Sequence, residues 1–403
     1  MSAKVVVTGM GVASAVGAGV EALWSAARDG RTGVRAIKFN RGQKQYIKTA
    51  AHMLDFASEP GPDRRAESNQ DRFSTLALAA ADEACRQAGI NVGGADERCG
   101  VIIGSGIGGA TTLDDNAYAY YVTNDRIDPL TVPKVMPSLA ASQLSMRYKA
   151  TGPSFCISSA CSSASQAIGT ALLLIRSGVI DCALVGGAEA LLSPGCFRAW
   201  EALRVMTPTL CRPFSSGRDG MVLGEGAAIF VIETIEHARR RGANPIAELA
   251  GYGTTSDADD LLRPNAASAC RAMTLAIADA GLDVADIGYV NAHGTATILN
   301  DISEAQALDM AFGSCLHAIP VSSTKPVHGH ALGAAGGLEL AVAIKALNEQ
   351  IAPPTINWLG TDPQCALDVV PNQARAIECN AVMSNSFAFG GINASLIVKR
   401  CIQ

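Results

Sequence analysis

Apolar positions in this chain follow two spacings. Short runs such as VVVTGMGVAS (5–14), CGVIIG (99–104), DCALVGGAEAL (181–191), IGYVN (287–291) and AVMSNSF (381–387) have strand character. Longer stretches carry apolar residues every three or four positions and predict helices. These are LALAAADEACRQAGI (76–90), SSASQAIGTALLLIRSG (162–178), RAMTLAIADAGL (271–282) and LELAVAIKAL (338–347).

The order of these elements repeats. A helix, a strand and a glycine-bearing turn occupy 76–109 and again 271–297. A short strand, a small-residue loop and a long Ala/Leu helix follow at 154–178 and at 318–347. Two strand-like runs around a glycine-bearing connection close each half, at 181–235 and 381–400. The period is that of a domain, far longer than a solenoid repeat. Strands alternating with helices predict a mostly parallel sheet covered by helices in each half. The expected halves are residues 1–245 and 246–403, with HARRRGANP (237–245) as the link. An extra segment near 110–152, rich in aromatics and prolines, is expected over the active site or at a subunit interface.

The composition is 48% hydrophobic and 17% charged with 40 glycines, which suits a core-rich globular protein and excludes a disordered one. No apolar run approaches the roughly 18 residues of a membrane span. The start of the chain shows no basic, cleavable leader, so a cytoplasmic protein is expected. A net charge of −5 argues against a nucleic-acid binder. One basic stretch, Arg31, Arg35, Lys38, Arg41, Lys44 and Lys48, is either a solvated face or a docking surface for an acidic partner. The twelve cysteines form no CxxC pair and no metal-ligand spacing, so neither a disulfide scaffold nor a metal site is expected.

Among those cysteines, Cys161 stands apart. It lies in SFCISSACSSASQAIG (154–169), between a strand end and a helix start, among small residues that leave room for a chain-like substrate. A helix N-terminus favours a thiolate. His293 in NAHGTAT and His330 in STKPVHGHALGAAGG follow strands of the second half, as does Lys325, and could converge on that thiol. The run GSGIGG (104–109) fits a dinucleotide fingerprint, but ATTLDDNAYAYY after it reads as a poor helix start, which makes nicotinamide binding a distant reading.

These residues resemble the elongating β-ketoacyl-acyl carrier protein synthases, condensing enzymes of the thiolase-fold superfamily. The resemblance covers essentially the whole chain. It rests on VVVTGMGVAS, VIIGSGIGG, SSACSSASQAIG, RPFSSGRDGMVLGEGAA (212–228), NAHGTAT…ND, STKPVHGHALGAAGGLE and NSFAFGGINASL (385–396). It implies an α/β, thiolase-like five-layer αβαβα sandwich of two pseudo-two-fold related halves. It also implies decarboxylative Claisen condensation, with Cys161 as nucleophile and His293 and His330 as the pair that decarboxylates the malonyl extender. Lys325 would order the site with Glu339 as its acidic partner. The N–H groups of Cys161 and Phe389 would form the oxyanion hole, and Phe389 would also gate the pocket. Thr295 and Thr297 would hold a phosphopantetheine arm, while Ile107, Phe197 and Phe387 would contact the acyl chain. No bound cofactor is implied; the pantetheine arm arrives on an acyl carrier protein. A homodimer, or a heterodimer with a chain-length-factor subunit lacking the cysteine, is implied as well. Fatty-acid synthesis is the first reading and a polyketide or polyene cluster the alternative.

The Cys-His-His set differs from the Cys-His-Asn of initiating synthases and lacks the second cysteine of thiolases. Three departures concern substrate. Ala388 replaces a glycine beside the gate, Ile392 replaces a threonine, and His328 is atypical for its loop. Glu201 lies where a docking arginine is often found, which leaves Arg198, Arg204 or the Arg64/Arg65/Arg72 group to meet the carrier.

Overall fold

The computed structural model describes residues 3–42, 44–53, 56, 69–90 and 98–401. Arg64 and Arg65 lie outside the described residues. Among the described residues the main sheet has eleven strands, the two-residue Gly17–Ala18 paired beside the first and ten along its path. Five come from the first half: β1 (Val5–Ser14), β2 (Cys99–Gly104), β3 (Ser154–Ile157), β4 (Cys182–Glu189) and β5 (Gly226–Thr234). Five come from the second: β6 (Ala247–Ser256), β7 (Ile287–Asn291), β8 (Val321–Ser322), β9 (Ala381–Ala388) and β10 (Ile392–Lys399). The first half runs β1-β5-β4-β2-β3 and the second β6-β10-β9-β7-β8, the same permutation. The two sets meet through two residue pairs of antiparallel β1 and β6, Val6 with Glu248 and Val7 with Ala247.

The expectation of mostly parallel sheets needs correcting. In each half the two outer pairings are parallel, while the pairings toward the molecular centre are antiparallel. The reason lies in the connections. A long crossover helix permits a parallel neighbour, whereas β9 and β10 are joined by a turn of three residues that can only reverse the chain.

Helices sort into layers by their faces. The central layer holds α5 (Ser163–Arg176) and α9 (Ala335–Glu349), with α1 (Val20–Asp29) beside them, in one core that takes residues from both sets of strands. Twelve of the fifteen residues of α9 are buried, as a helix enclosed by sheets on both sides requires. The outer layer of the first half is α2 (Arg72–Ala88) with α4 (Leu139–Tyr148). That of the second half is α7 (Ala266–Asp279) with α8 (Ile298–Phe312). Asp71 caps α2 in a capping box with Ser74, and Asn265 caps α7. The close approach of α5 to β2 depends on Gly104, where a Cβ would lie 2.3 Å from the Ser163 carbonyl carbon.

Residues 110–123 also depart from expectation. Ala110–Tyr118 forms α3, continued as a wider turn to Thr123. GSGIGG is therefore followed by a helix after all, yet its amides are already committed. Gly106 and Ile107 donate to Glu189, Gly108 to Ser105 Oγ and Gly109 to the Val135 carbonyl. A pyrophosphate would find no free N–H there. The segment near 110–152 exposes Tyr120, Tyr121, Val122, Val132 and Met136. No helix among the described residues is long and apolar enough to cross a membrane.

Candidate active site

Cys161 sits in a single 3-10 turn, Ala160–Ser162, that leads into α5. Ala160 before it has φ 49°, a left-handed conformation costly for a residue with a Cβ. This elbow presents the thiol toward loops of the second half. Ala296 (φ 67°) and Leu332 (φ 44°) share the left-handed region, next to Thr295 and two residues after His330 respectively.

The structure brings Cys161, His293 and His330 together, with their Sγ and ring nitrogen ligand atoms within 4.8 Å of one another. The two imidazoles meet edge to face, centroids 5.4 Å apart. Their tautomers follow from their partners. The Leu332 N–H donates to His330 Nδ1 at 3.2 Å, and Lys325 Nζ lies 3.3 Å from His293 Nδ1. Each Nδ1 is then an acceptor, so each neutral ring carries its proton on Nε2. Burial first and then the Lys325 ammonium hold both histidines well below the usual imidazole range, with His330 adding to the effect on His293 and His328 to that on His330.

Lys325 is fully buried and bonds the His293 carbonyl and the Glu339 carboxylate. Burial raises the Glu339 carboxyl to about 7 even with Lys325 pulling it down. The direct contact with an ammonium favours the ionised pair. Burial also raises Cys161, to about 12, with Lys325 and the Phe389 N–H opposing. A helix N-terminus supplies at most about 2 kcal/mol, or roughly 1.5 pKa units. Desolvation therefore wins, and the resting group is a thiol, not the thiolate expected from its position.

A cavity of about 330 Å³ opens onto Cys161, His293, Thr295, Thr297, His330, Phe387 and Phe389. Thr295 and Thr297 bond each other at 2.8 Å on its wall. Phe389 stacks on Trp200 of α6 (Pro194–Ala202) at 6.2 Å. Ile107 and Phe197 do not line this cavity. Phe197 is buried with Cys161 in an adjoining apolar cluster, edge-on to Phe39, and Ile107 is 43% exposed. The turn after Phe389 is tied to the 257–263 loop: Gly390 donates to the Leu261 carbonyl and Asp257 to that of Gly391.

Three buried carboxylates that the sequence reading did not single out for roles hold these loops. Glu304 accepts the His293 and Gly294 N–H groups at 2.7 Å each. Asp301 accepts those of Phe214 and Ala296. Glu189 ties Gly106 and Ile107 to Gly333. An acid inside an otherwise apolar strand or helix, as in VGGAEALL and ISEAQAL, is the signal that could have found Glu189 and Glu304. Among the arginines expected to dock a carrier, Arg72 instead pairs with buried Glu225. Arg198 is engaged by Glu201 and Tyr46. Arg204 remains exposed at the cavity mouth.

With that geometry, the fold and site define a thiolase-like condensing enzyme. Residues 2–238 match the family model of the β-ketoacyl synthase N-terminal domain, and residues 246–358 that of the C-terminal domain. The chain belongs to the β-ketoacyl synthase family. It is 41% identical to Nodulation protein E of Rhizobium sp. (strain N33), covering 99% of this chain and all of that one. It is 38% identical to 3-oxoacyl-[acyl-carrier-protein] synthase 2 of Staphylococcus aureus (strain COL), over 98% of both. Among solved structures it superposes on the ishigamide ketosynthase/chain length factor with a TM-score of 0.94, at 32% identity and full coverage of both chains.

Proposed function

We propose that the protein extends acyl chains in fatty-acid synthesis, taking acyl and malonyl groups from an acyl carrier protein on its phosphopantetheine arm. The observation that carries this reading is a lone thiol facing two imidazole Nε2–H groups across one cavity. In the first step the Cys161 sulfur bonds the acyl carbonyl, the carrier thioester breaks, and the carrier leaves as a thiol. The N–H of Phe389, already directed at Cys161, stabilises the oxygen that gains charge. Malonyl carrier then enters. Its carboxylate leaves as carbon dioxide, and the electron pair becomes an enolate whose oxygen accepts from His293 and His330. The enolate carbon bonds the acyl carbonyl, the Cys161–acyl bond breaks, and the departing thiolate takes up one proton from water, replacing the one that left with the carrier thiol. Two neutral N–H donors suit an enolate, and the lowered imidazole pKa values keep them neutral.

The twelve free cysteines fit a reducing compartment, and we place the reaction in the cytoplasm. Arg204 and the exposed Lys38, Lys44 and Lys48 offer positive charge to an acidic carrier. The exposed apolar residues of 113–136 would be covered by a second subunit, the usual fate of such a patch. A second reading, a synthase specialised for unsaturated or polyketide chains with a cysteine-lacking partner, draws on Ala388 and Ile392 at the gate. The likeness to the ishigamide ketosynthase/chain length factor also supports it.

Intact mass after incubation with acyl carrier tests the assignment. Wild type is expected to gain one acyl group and Cys161→Ala none. A gain retained in the variant would refute the nucleophile. Condensation with saturated against polyunsaturated acyl carriers, with and without a partner subunit, separates the two pathways.

A further inference from the structure

Besides His293 and His330, the site region holds a third buried imidazole. His328 is completely enclosed, and both its nitrogens are engaged. Nδ1 lies 2.7 Å from the Gly329 carbonyl oxygen, and Nε2 lies 3.0 Å from Thr324 Oγ1. A carbonyl only accepts, so Nδ1 carries the proton and the Thr324 hydroxyl donates to Nε2. Burial and nearby Lys325 push this ring down to about 3, so it stays neutral.

Gly329 is the joint that aims His330. Its φ of 73° and ψ of 172° belong to a region that residues with a Cβ scarcely enter, and a Cβ there would lie 2.6 Å from that of Ala51. Glycine supplies no torsional restraint of its own, so hydrogen bonds must set the peptide plane. The N–H of the Gly329–His330 peptide donates to the Val222 carbonyl at 2.7 Å, and its C=O accepts from His328. The His330 carbonyl in turn accepts from Gly224.

We propose that His328 is a positioning residue for His330: its Nδ1–H fixes the peptide plane that aims the His330 ring at the malonyl group, through a bond the ring's own backbone neighbours do not supply. This rests on the assignment of His330 to decarboxylation. A misaligned donor costs rate and not affinity, because an angular error weakens the transition-state contact with the enolate more than ground-state binding.

The test compares His328→Asn, whose amide N–H can occupy the place of Nδ1–H, with His328→Gln, which reaches only toward Thr324. Two readouts are taken on the full chain: acyl loading of Cys161 by mass, and kcat and KM for decarboxylation of malonyl carrier. The glutamine variant is expected to lose about tenfold or more in decarboxylation kcat, with KM and acyl loading within about threefold. The asparagine variant is expected to recover most of that loss. Equal activity of the two variants, or equal losses in loading and decarboxylation, would overturn the inference. His330→Ala is run alongside. Decarboxylation surviving in it would instead overturn the assignment of His330, so the two failures stay distinct.

Discussion

The two halves share one strand permutation, yet they answer the same structural position in opposite ways. In the first, the 3-10 turn Ala160–Ser162 precedes α5; in the second, Leu332–Ala334 precedes α9. Ala160 and Leu332 both take a left-handed φ, which pairs Cys161 with Gly333. One elbow projects a thiol into the cavity. At the other, a Cβ would lie 2.4 Å from the Gly106 nitrogen and 2.5 Å from Glu189, so the position is filled by a bare amide donating to Glu189. Duplication gave two places for a nucleophile. Packing left room for one and turned the other into the support of the loop that carries His330. The two halves thus contribute different groups to one cavity: a thiol on the turn before a helix in one, imidazole rings on loops braced by carboxylates in the other.

The sharpest way to break that comparison is to remove the rings. His293→Ala and His330→Ala are each expected to lower condensation about 10²- to 10⁴-fold while acyl loading on Cys161 persists. Loss of loading as well would show that the halves do not divide the work. Next comes the silent elbow. Gly333→Ala forces a Cβ onto backbone and carboxylate and should cost roughly 1–3 kcal/mol in urea unfolding. Ala160→Gly, at the active elbow, relieves strain and should not destabilise comparably.

Acid distinguishes the halves next. At the end of β5, Glu233 accepts from Arg241, His237 and Thr8, and those bonds hold its carboxyl down to about 2 despite burial. The matching position at the end of β10 is Lys399. A carboxyl with a lowered native pKa contributes stability above its unfolded value near 4.5 and loses it as pH falls toward 2. Wild type should therefore lose about 2 kcal/mol more than Glu233→Gln between pH 5 and pH 2.5 in urea melts. Parallel slopes would contradict the assigned ion pairing. The smallest effect is expected at the gate. Ala388→Gly, at the end of β9 beside the gate proposed for Phe389, should change relative rates among acyl chains by a few-fold without altering the reaction. An unchanged profile would remove Ala388 from the account of specificity.

Much of this was legible along the chain because the signals are local. Strand runs, helical spacing and the internal repeat announced two similar α/β halves, and the segments around Cys161, His293, His330 and Lys325 announced the chemistry. The errors were of another kind. Mostly parallel pairing was expected because alternation of strand and helix says nothing about the reversed β9–β10 connection. The helix at 110–118 was missed because its polar and aromatic residues lack a stripe, its support coming from Arg41 against Asp114 and Tyr118. The thiolate was expected from helix position alone, before the depth of burial was known.

The sequence by itself determined the repeat, the elements and the reactive groups, since these depend on periodicity and residue type within a few turns of chain. Only the tertiary structure decided their states. It placed a fully buried lysine against Glu339 and set both histidine tautomers through Lys325 and Leu332. It also committed the GSGIGG amides to Glu189, Ser105 and Val135 and raised the resting thiol above its usual range. Each of these depends on how far water is excluded and on which groups from distant segments meet, and desolvation and through-space contact are properties of three dimensions.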